Sequence, residues 1–414
     1  MYITRKLEAT ILKYLDTKEI LAIVGPRQAG KTTLLKQIQS HLTRAVFLTF
    51  EDREELELFE QDIKNFAKKY SNYKYIFIDE FQYSKSGGKN LKFLYDICPE
   101  LKIIISGSSA VDLTIQAIKF LVGRVFVFHL YQLDFEEYVG FKDVGLFNLY
   151  KEFKNDFNLI TAEINQLTVS IPVSKQFNRI LEEFIIWGGY PRVILSETTE
   201  EKKLVIKNIY NTYFLRDIRD TLGLIDDFKL SKLIKALAIQ IGQLVEYNEL
   251  RTISDYDYLS LKKYLNVLEK TFIAQAIKPF FKNKRNEIIK NPKVYFFDTG
   301  LRNYIINDFN ILENRIDRGF LYENFIFNQL LKQEIIPNFW RTKSKAEVDF
   351  VVNIDNSIIP IESKTTVNKI QLTKSYGSFI EQYKPAKGIF LNNAIFQHKK
   401  YDRTDVYFLP HWII

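Results

Sequence analysis

The stretch EILAIVGPRQAGKTTLLKQIQSHL, residues 19–42, constrains this chain more than any other. A short apolar run, Ile20 to Val24, ends in a glycine-containing loop, and the loop opens directly into a segment whose apolar residues recur at helical spacing. Within it, GPRQAGKTT (residues 25–33) has the spacing G-x-x-x-x-G-K-[ST], and the strand before it and the helix after it are the context in which that spacing carries meaning. Gly25, Pro26, Arg27, Gln28, Ala29 and Gly30 form a loop whose backbone N–H groups face a phosphate chain at the positive end of the helix. Lys31 supplies a point charge for the β- and γ-phosphates. The Thr32 hydroxyl is placed to ligate Mg²⁺, and Thr33 is expected to cap the helix start.

A second feature supports a nucleotide. In YIFIDEFQ (residues 75–82) the apolar run Tyr75 to Ile78 predicts a buried strand with Asp79 at its carboxyl end. Ligands of open α/β sheets sit at such strand ends, so Asp79 is the expected partner of the Mg²⁺ shell. Glu80 is placed to polarise an attacking water, a residue that hydrolysis requires and mere binding does not. RAVFLTFED at 44–52 and LKIIISGSS at 101–109 read as further buried strands. Strands alternating with helical segments predict a parallel sheet covered on both faces, an α/β fold.

Composition narrows the class. The chain has 414 residues, 46% of them hydrophobic and 26% charged, enough for several packed domains and unlike a disordered or repeat protein. The single cysteine, Cys98, excludes a disulfide or multi-thiolate framework within one chain. No segment approaches 18 uncharged apolar residues, so the expectation is a cytoplasmic protein without a membrane span. The formal charge of +8 favours anionic partners.

The ordered set GPRQAGKTT, YIFIDEFQ, IISGSSA, LVGRVFVFHLYQLDFEEY, WGGYPRV, YFLRDI and KNPKVYFFDTG resembles a prokaryotic (archaeal-type) family of AAA-type P-loop ATPases with a C-terminal domain of unknown function. The resemblance runs over essentially the whole chain. It implies ATP and Mg²⁺ as ligands, Ser106 or Ser108 as a polar sensor of the γ-phosphate, and Arg124 as the arginine that stabilises transition-state charge. Arg124 would act in cis or from a neighbouring copy in a homo-oligomer, with Arg216 and Arg219 as alternatives.

Beyond the sheet the expected order is a helical lid (136–228), a winged helix (229–305) and a small α/β domain (306–414), following a nucleotide-binding core at 1–135. In the winged helix, Leu261, Leu265 and Leu268 should bury one helix face, and a basic hairpin should carry Lys278, Lys282, Lys284, Arg285, Lys290 and Lys293. Lys282, Lys284 and Arg285 are the candidate DNA contacts, gripping phosphate rather than reading bases. Asp255 and Asp257 at the helix entrance would repel phosphate. In the last segment, EVDFVV and IPIESK place Asp349, Glu362 and Lys364 on adjacent strands in the order D-x12-E-x-K. Glu362 and Lys364 share a face because they lie two apart on one strand. Asp349 and Glu362 are candidate metal ligands, Lys364 a group to position water, and Glu323 a further member, with Glu347 on the face of Asp349. This arrangement resembles the PD-(D/E)XK restriction-endonuclease-like core.

The resulting expectation is an ATP hydrolase that remodels or moves along DNA. The alternative is a nucleotide-gated switch whose winged-helix and C-terminal parts contact a protein.

Overall fold

The computed structural model describes residues 2–108, 120–156, 169–214, 227–281, 287, 290–354, 357–365 and 371–414. They form two compact units: Met1–Leu133 with Tyr190–Leu195 and Lys270–Phe272, and Asp134–Gly189 with Ser196–Glu269 and Ile273–Ile414.

The first unit is built on a parallel five-stranded sheet of order β2-β3-β4-β1-β5, with β1 Ile20–Val24, β2 Ala45–Thr49, β3 Tyr75–Asp79, β4 Lys102–Gly107 and β5 Val125–His129. Every residue of β1, β3 and β4 is buried, as their predominantly apolar sequence leads one to expect, and the buried set includes the polar Asp79, Lys102 and Ser106. The β2 segment, expected to be fully buried, is instead an edge strand and mostly half-buried. Helices α1 (Lys6–Lys13) and α2 (Lys31–Ser40) bring Ile11, Leu34, Leu35 and Ile38 onto Leu21, Ile23, Phe77 and Ile104. The acidic stretch after β2 divides into α3 (Arg53–Gln61) and α4 (Ile63–Lys69) at Asp62, whose carboxylate caps α4 by accepting from Asn65 N at 3.1 Å. Helix α5 (Gly87–Ile97) precedes β4. Parallel register aligns Val24 with Gly107 and Thr49 with Asp79, so the loops leaving β1, β3 and β4 open on one edge.

The second unit contains the helices Asp227–Ile239, Tyr247–Ser254 and Tyr258–Lys270, followed by the antiparallel pair β6 (Ala274–Ile277) and β7 (Lys293–Phe296). Leu261, Tyr264 and Leu268 are the buried positions of the last helix, so Tyr264 holds the place expected of the half-buried Leu265. Asp257 begins that helix by accepting from Leu259 N and Ser260 N at 2.9 and 3.0 Å, which gives the acidic entrance a local structural role.

A six-stranded mixed sheet follows, of order β12-β13-β11-β10-β9-β8. It comprises β8 Asn338–Arg341, β9 Glu347–Ile354, β10 Ser357–Ser363, β11 Lys387–Asn392, β12 Gln397–Tyr401 and β13 Thr404–Pro410. Buried side-chain amides join the segments of this unit. Asn324, in the helix Arg318–Lys332, accepts from Phe296 N at 2.8 Å and donates to Phe296 O at 2.7 Å. Asn303 donates to the carbonyls of Ile185 and Ile186. Among the described residues, no helix is long and apolar enough to cross a membrane.

Candidate nucleotide site and carboxylate centre

The loop after β1 requires its glycines for different reasons. A Cβ on Gly25 would lie 2.0 Å from the Leu130 carbonyl oxygen, so only glycine permits this approach to the chain leaving β5. Gly30 has φ +95°, a left-handed conformation, and is itself the N-cap of α2. The cap expected of Thr33 is therefore supplied by Gly30, because α2 begins two residues before Thr33. No side chain caps α2, and its positive end faces the loop. Gln28 is also left-handed, with φ 60°. Lys31 is buried and donates to the carbonyls of Gly25 and Pro26, both at 2.9 Å. Arg5, which the sequence reading missed, is buried and fastens the loop by donating to Ala29 O and Tyr131 O, each at 2.7 Å. A lone arginine near the amino terminus carries no motif, so only the fold reveals it.

Asp79 accepts from Thr32 Oγ1 at 2.5 Å and from Ser106 Oγ. The strand-end carboxylate, the loop threonine and the β4 serine are thus brought together. Thr32 and Asp79 present the hard oxygen donors that suit Mg²⁺. Glu80 follows with φ 53°, left-handed for a non-glycine residue, and its N–H donates to Asp79 Oδ1 at 3.0 Å. The Glu80 carboxylate accepts from Gln82 Nε2, and the same amide nitrogen donates to Ser108 Oγ at 3.1 Å. Ser106 therefore serves Asp79, and Ser108 joins Glu80 through Gln82.

Arg124 is placed elsewhere. It directly precedes β5, and its carbonyl accepts from Ile20 N at the start of β1. The phosphate loop leaves the opposite end of β1, five residues on, a span of about 16 Å at 3.3 Å per residue. Its guanidinium lies 3.7 Å from Asp96 and over the Tyr95 ring. The cis role is thereby corrected. Arg216, Arg219, Lys282, Lys284 and Arg285 lie outside the described residues.

The second unit assembles the C-terminal carboxylates. Antiparallel β9 and β10 put Ile361 opposite Phe350, and Asp349 Oδ2 accepts from Ser363 N at 2.8 Å. Glu362 and Lys364 are paired at 2.9 Å, and Glu362 Oε2 is buried with no hydrogen-bond partner. Glu323 accepts from Tyr295 Oη at 2.9 Å. Burial, reinforced by the charge of Asp349, holds both Glu323 and Glu362 well above the usual carboxylate range. Burial likewise raises Asp349. Burial alone would lower Lys364, but the charges of Asp349 and Glu362 outweigh it and raise that ammonium.

Lys293, expected on a solvated hairpin, is instead 1% exposed. Its Nζ lies 2.5 Å from Glu347 and 3.9 Å from Glu323. The β6–β7 ladder turns it inward, so it is a counter-ion of the carboxylates and not a phosphate contact. Among the described residues, no three His, Cys, Asp or Glu side chains stand together as a ready metal-binding group.

One family model bears on the class that this geometry indicates. Residues 17–139 match a family model described as an AAA domain. Residues 178–311 and 318–412 match two models each described as a domain of unknown function, DUF8612 and DUF4143. An uncharacterized protein of Haemophilus influenzae is 23% identical over 430 residues, covering 98% of this chain and 96% of its own length. One from Methanocaldococcus jannaschii is 26% identical over 383 residues, covering 88% and 80%. Relatives thus occur in bacteria as well as archaea. Among solved structures, the Walker-type ATPase of Pyrococcus abyssi is 16% identical with a TM-score of 0.44, covering 74% of this chain and 96% of that one. The ORC2 protein of Aeropyrum pernix in its ADP form is 12% identical with a TM-score of 0.32, covering 67% and 87%. The parallel sheet, the loop and the AAA match define the first unit as a P-loop domain of the AAA type, in an α/β chain that ends in a mixed-sheet domain.

Proposed function

We propose that this chain is a Mg²⁺-dependent ATP hydrolase whose cycle acts on DNA. The observation that carries the reading is the convergence of Thr32, Asp79 and Ser106 at the mouth of the phosphate loop, with Glu80 one residue beyond. Lys31 would exchange the carbonyls of Gly25 and Pro26 for the β- and γ-phosphates. Thr32 and Asp79 would hold Mg²⁺, which when bound neutralises phosphate charge. Glu80 would accept the proton of the water that attacks the γ-phosphorus, and ADP would leave with the bridging oxygen. Lys31→Ala should lose nucleotide binding, whereas Glu80→Gln should bind ATP and release no phosphate. Wild-type turnover in Glu80→Gln would refute the assignment.

The DNA reading rests on the net charge of +8 and on the run of Lys278, Lys282, Lys284, Arg285 and Lys290, without Lys293. Neutralising Lys282, Lys284 and Arg285 together should weaken binding on every DNA sequence and lower the salt slope by about 0.9 for each phosphate no longer neutralised. An unchanged slope would move the footprint elsewhere. DNA-stimulated phosphate release separates this cycle from a nucleotide-gated switch, which would turn over slowly with or without DNA.

The C-terminal centre is proposed as a divalent-cation site of the restriction-endonuclease-like kind. Support comes from the pairing of Asp349, Glu362 and Lys364 across β9 and β10, and from the buried, unpartnered Glu362 Oε2. Asp349 and Glu362 would hold the ion, which when bound activates water for attack on a phosphodiester. Lys364 would orient that water, and Glu323 would support the set. Metal-dependent DNA cleavage that vanishes in Asp349→Ala at unchanged ATP turnover would establish a working nuclease.

A further inference from the structure

We propose that Gln82 is the positioning residue that makes attack by water conditional on a γ-phosphate at Ser108, an inference that rests on the hydrolysis reading above. YIFIDEFQ ends in this glutamine, and the carboxylate chemistry of Asp79 and Glu80 leaves it without a task.

The geometry gives it one. β3 ends at Asp79, Glu80 takes a left-handed turn, and the single 3₁₀ turn Phe81–Tyr83 places Gln82 back beside Glu80. A carboxylate only accepts hydrogen bonds, so the amide nitrogen of Gln82 must face Glu80. The same nitrogen donates its second hydrogen to Ser108 Oγ at 3.1 Å, which uses both of its donors. Its other atom, Oε1, is then left buried with no hydrogen-bond partner. A buried acceptor without a donor is unfavourable, and a donor that arrives with the substrate would relieve that cost. The molecule this chemistry supplies at that place is the attacking water, whose remaining proton goes to Glu80.

Ser108 completes the coupling. Its oxygen accepts from Gln82, which leaves its hydroxyl hydrogen to be donated to an incoming phosphate oxygen. Without the γ-phosphate, Gln82 ties Glu80 to Ser108 and holds Glu80 in its left-handed turn. With it, Ser108 is fixed by the phosphate, Gln82 is fixed by Ser108, and Oε1 orients water against the γ-phosphorus. The oxygen of that water forms the new bond to phosphorus, the bond to the β-phosphate bridging oxygen breaks, and the water proton passes to Glu80. Gln82 itself gains and loses nothing. Its contribution is position, expressed in kcat and not in affinity.

The experiment uses the full chain and compares wild type, Gln82→Met, Ser108→Ala and the double variant. Steady-state phosphate release gives kcat and KM, and a fluorescent ATP analogue gives affinity. Methionine keeps the volume of glutamine and removes its polar atoms, and retained analogue binding shows that the loop is folded. The expected result for Gln82→Met is analogue affinity within about twofold of wild type and a kcat lowered at least about 10-fold, part of the 10²–10⁴ that a placed general base supplies. Ser108→Ala should show a similar loss, and the double variant should lose no more than the larger single loss, because the two side chains act as one unit. Wild-type kcat in Gln82→Met, a loss confined to KM, or independent losses in the double variant would overturn the coupling while leaving ATP hydrolysis intact. A wild-type chain that binds ATP and releases no phosphate would overturn the hydrolysis reading itself, and the role of Gln82 with it.

Discussion

The two acidic centres of this molecule are stabilised in opposite ways. Around Asp79 and Glu80 the described donors are neutral: the hydroxyls of Thr32 and Ser106 and the amide of Gln82. Around Glu323, Glu347, Asp349 and Glu362 the neutral donors Tyr295 Oη and Ser363 N are joined by ammonium and guanidinium counter-ions, from Lys293, Lys364 and Arg341. Neutral donors can be exchanged for a cation and a phosphate chain as a ligand comes and goes, since the donors themselves carry no charge to strand when they part. Fixed cations cannot be removed so freely, because each carboxylate left behind would be buried and uncompensated. The first centre is therefore suited to exchanging its partners for a ligand, whereas Lys293 and Arg341 are standing counter-ions of the second.

The largest expected effect tests whether the second unit depends on such buried groups. His411 is fully buried, and burial first, then the charge of Arg318, lowers its pKa from 6.5 to about 3. It is held neutral between Ser363 Oγ at 3.0 Å and Asn393 Oδ1 at 2.6 Å. With the folded value depressed, the unfolded chain takes up the proton first as pH falls. The stabilisation is complete above about pH 6.5 and disappears toward pH 3, up to about 5 kcal/mol. Urea titrations at stepped pH should show this loss in the wild type. The slope should be shallower in His411→Gln, and an equal slope would remove His411 from the account.

Next in size is the contrast between two buried lysines. Lys293→Met takes a buried counter-ion from Glu323 and from Glu347, which keeps Arg341, and should cost about 3 kcal/mol. Lys31→Met removes hydrogen bonds to the Gly25 and Pro26 carbonyls and, among the described residues, strands no carboxylate, so it should cost only about 1 kcal/mol while abolishing nucleotide binding. Equal losses in melting experiments would erase the distinction between the centres.

A smaller effect bears on the cation reading. If Asp349 and Glu362 bind a divalent ion, Mn²⁺ at a hundredfold excess over its dissociation constant should stabilise the chain by about 2.7 kcal/mol. Asp349→Asn should remove that increment. A Mn²⁺ response unchanged by Asp349→Asn would place the ion elsewhere.

The difference between the centres also explains what the sequence could reveal. Gly25 to Thr33 and Asp79–Glu80 lie on short continuous segments, a loop between one strand and one helix and the end of another strand, and the spacing alone exposes them. Asp349, Glu362 and Lys364 were legible because strand alternation puts them on one face of a hairpin. Lys293 was not: its neighbours Lys290 and Lys278 look like a solvated basic ladder, and only the inward turn of β7 beside Glu323 and Glu347 shows that it is a buried counter-ion. The strands β8, β12 and β13 were missed for a related reason. QHKKY, for instance, is almost wholly exposed and lacks the apolar alternation that marks a strand. Gln82 was visible as a letter and silent as chemistry, since its role depends on which of its two amide atoms faces Glu80.

The smallest expected effect concerns Arg124, where sequence and structure disagree most. Its partner Asp96 is 3.7 Å away and both side chains are well exposed, so the pair should contribute no more than about 1 kcal/mol. Within one chain, Arg124 stands at the end of the sheet from which β1 begins, remote from the phosphate loop. Arg124→Ala in dilute protein should therefore keep its melting temperature and its rate of phosphate release. Only a neighbouring copy of the chain could bring this guanidinium to a nucleotide, and that role has a separate signature. Release per chain would rise with protein concentration in the wild type, Arg124→Ala would not show the rise, and mixing Arg124→Ala with Lys31→Ala would recover part of it. A rate independent of concentration, with Arg124→Ala equal to wild type throughout, would leave Arg124 as a surface ion pair and transfer the search for a phosphate-facing cation to Lys31 and the arginines nearer the loop.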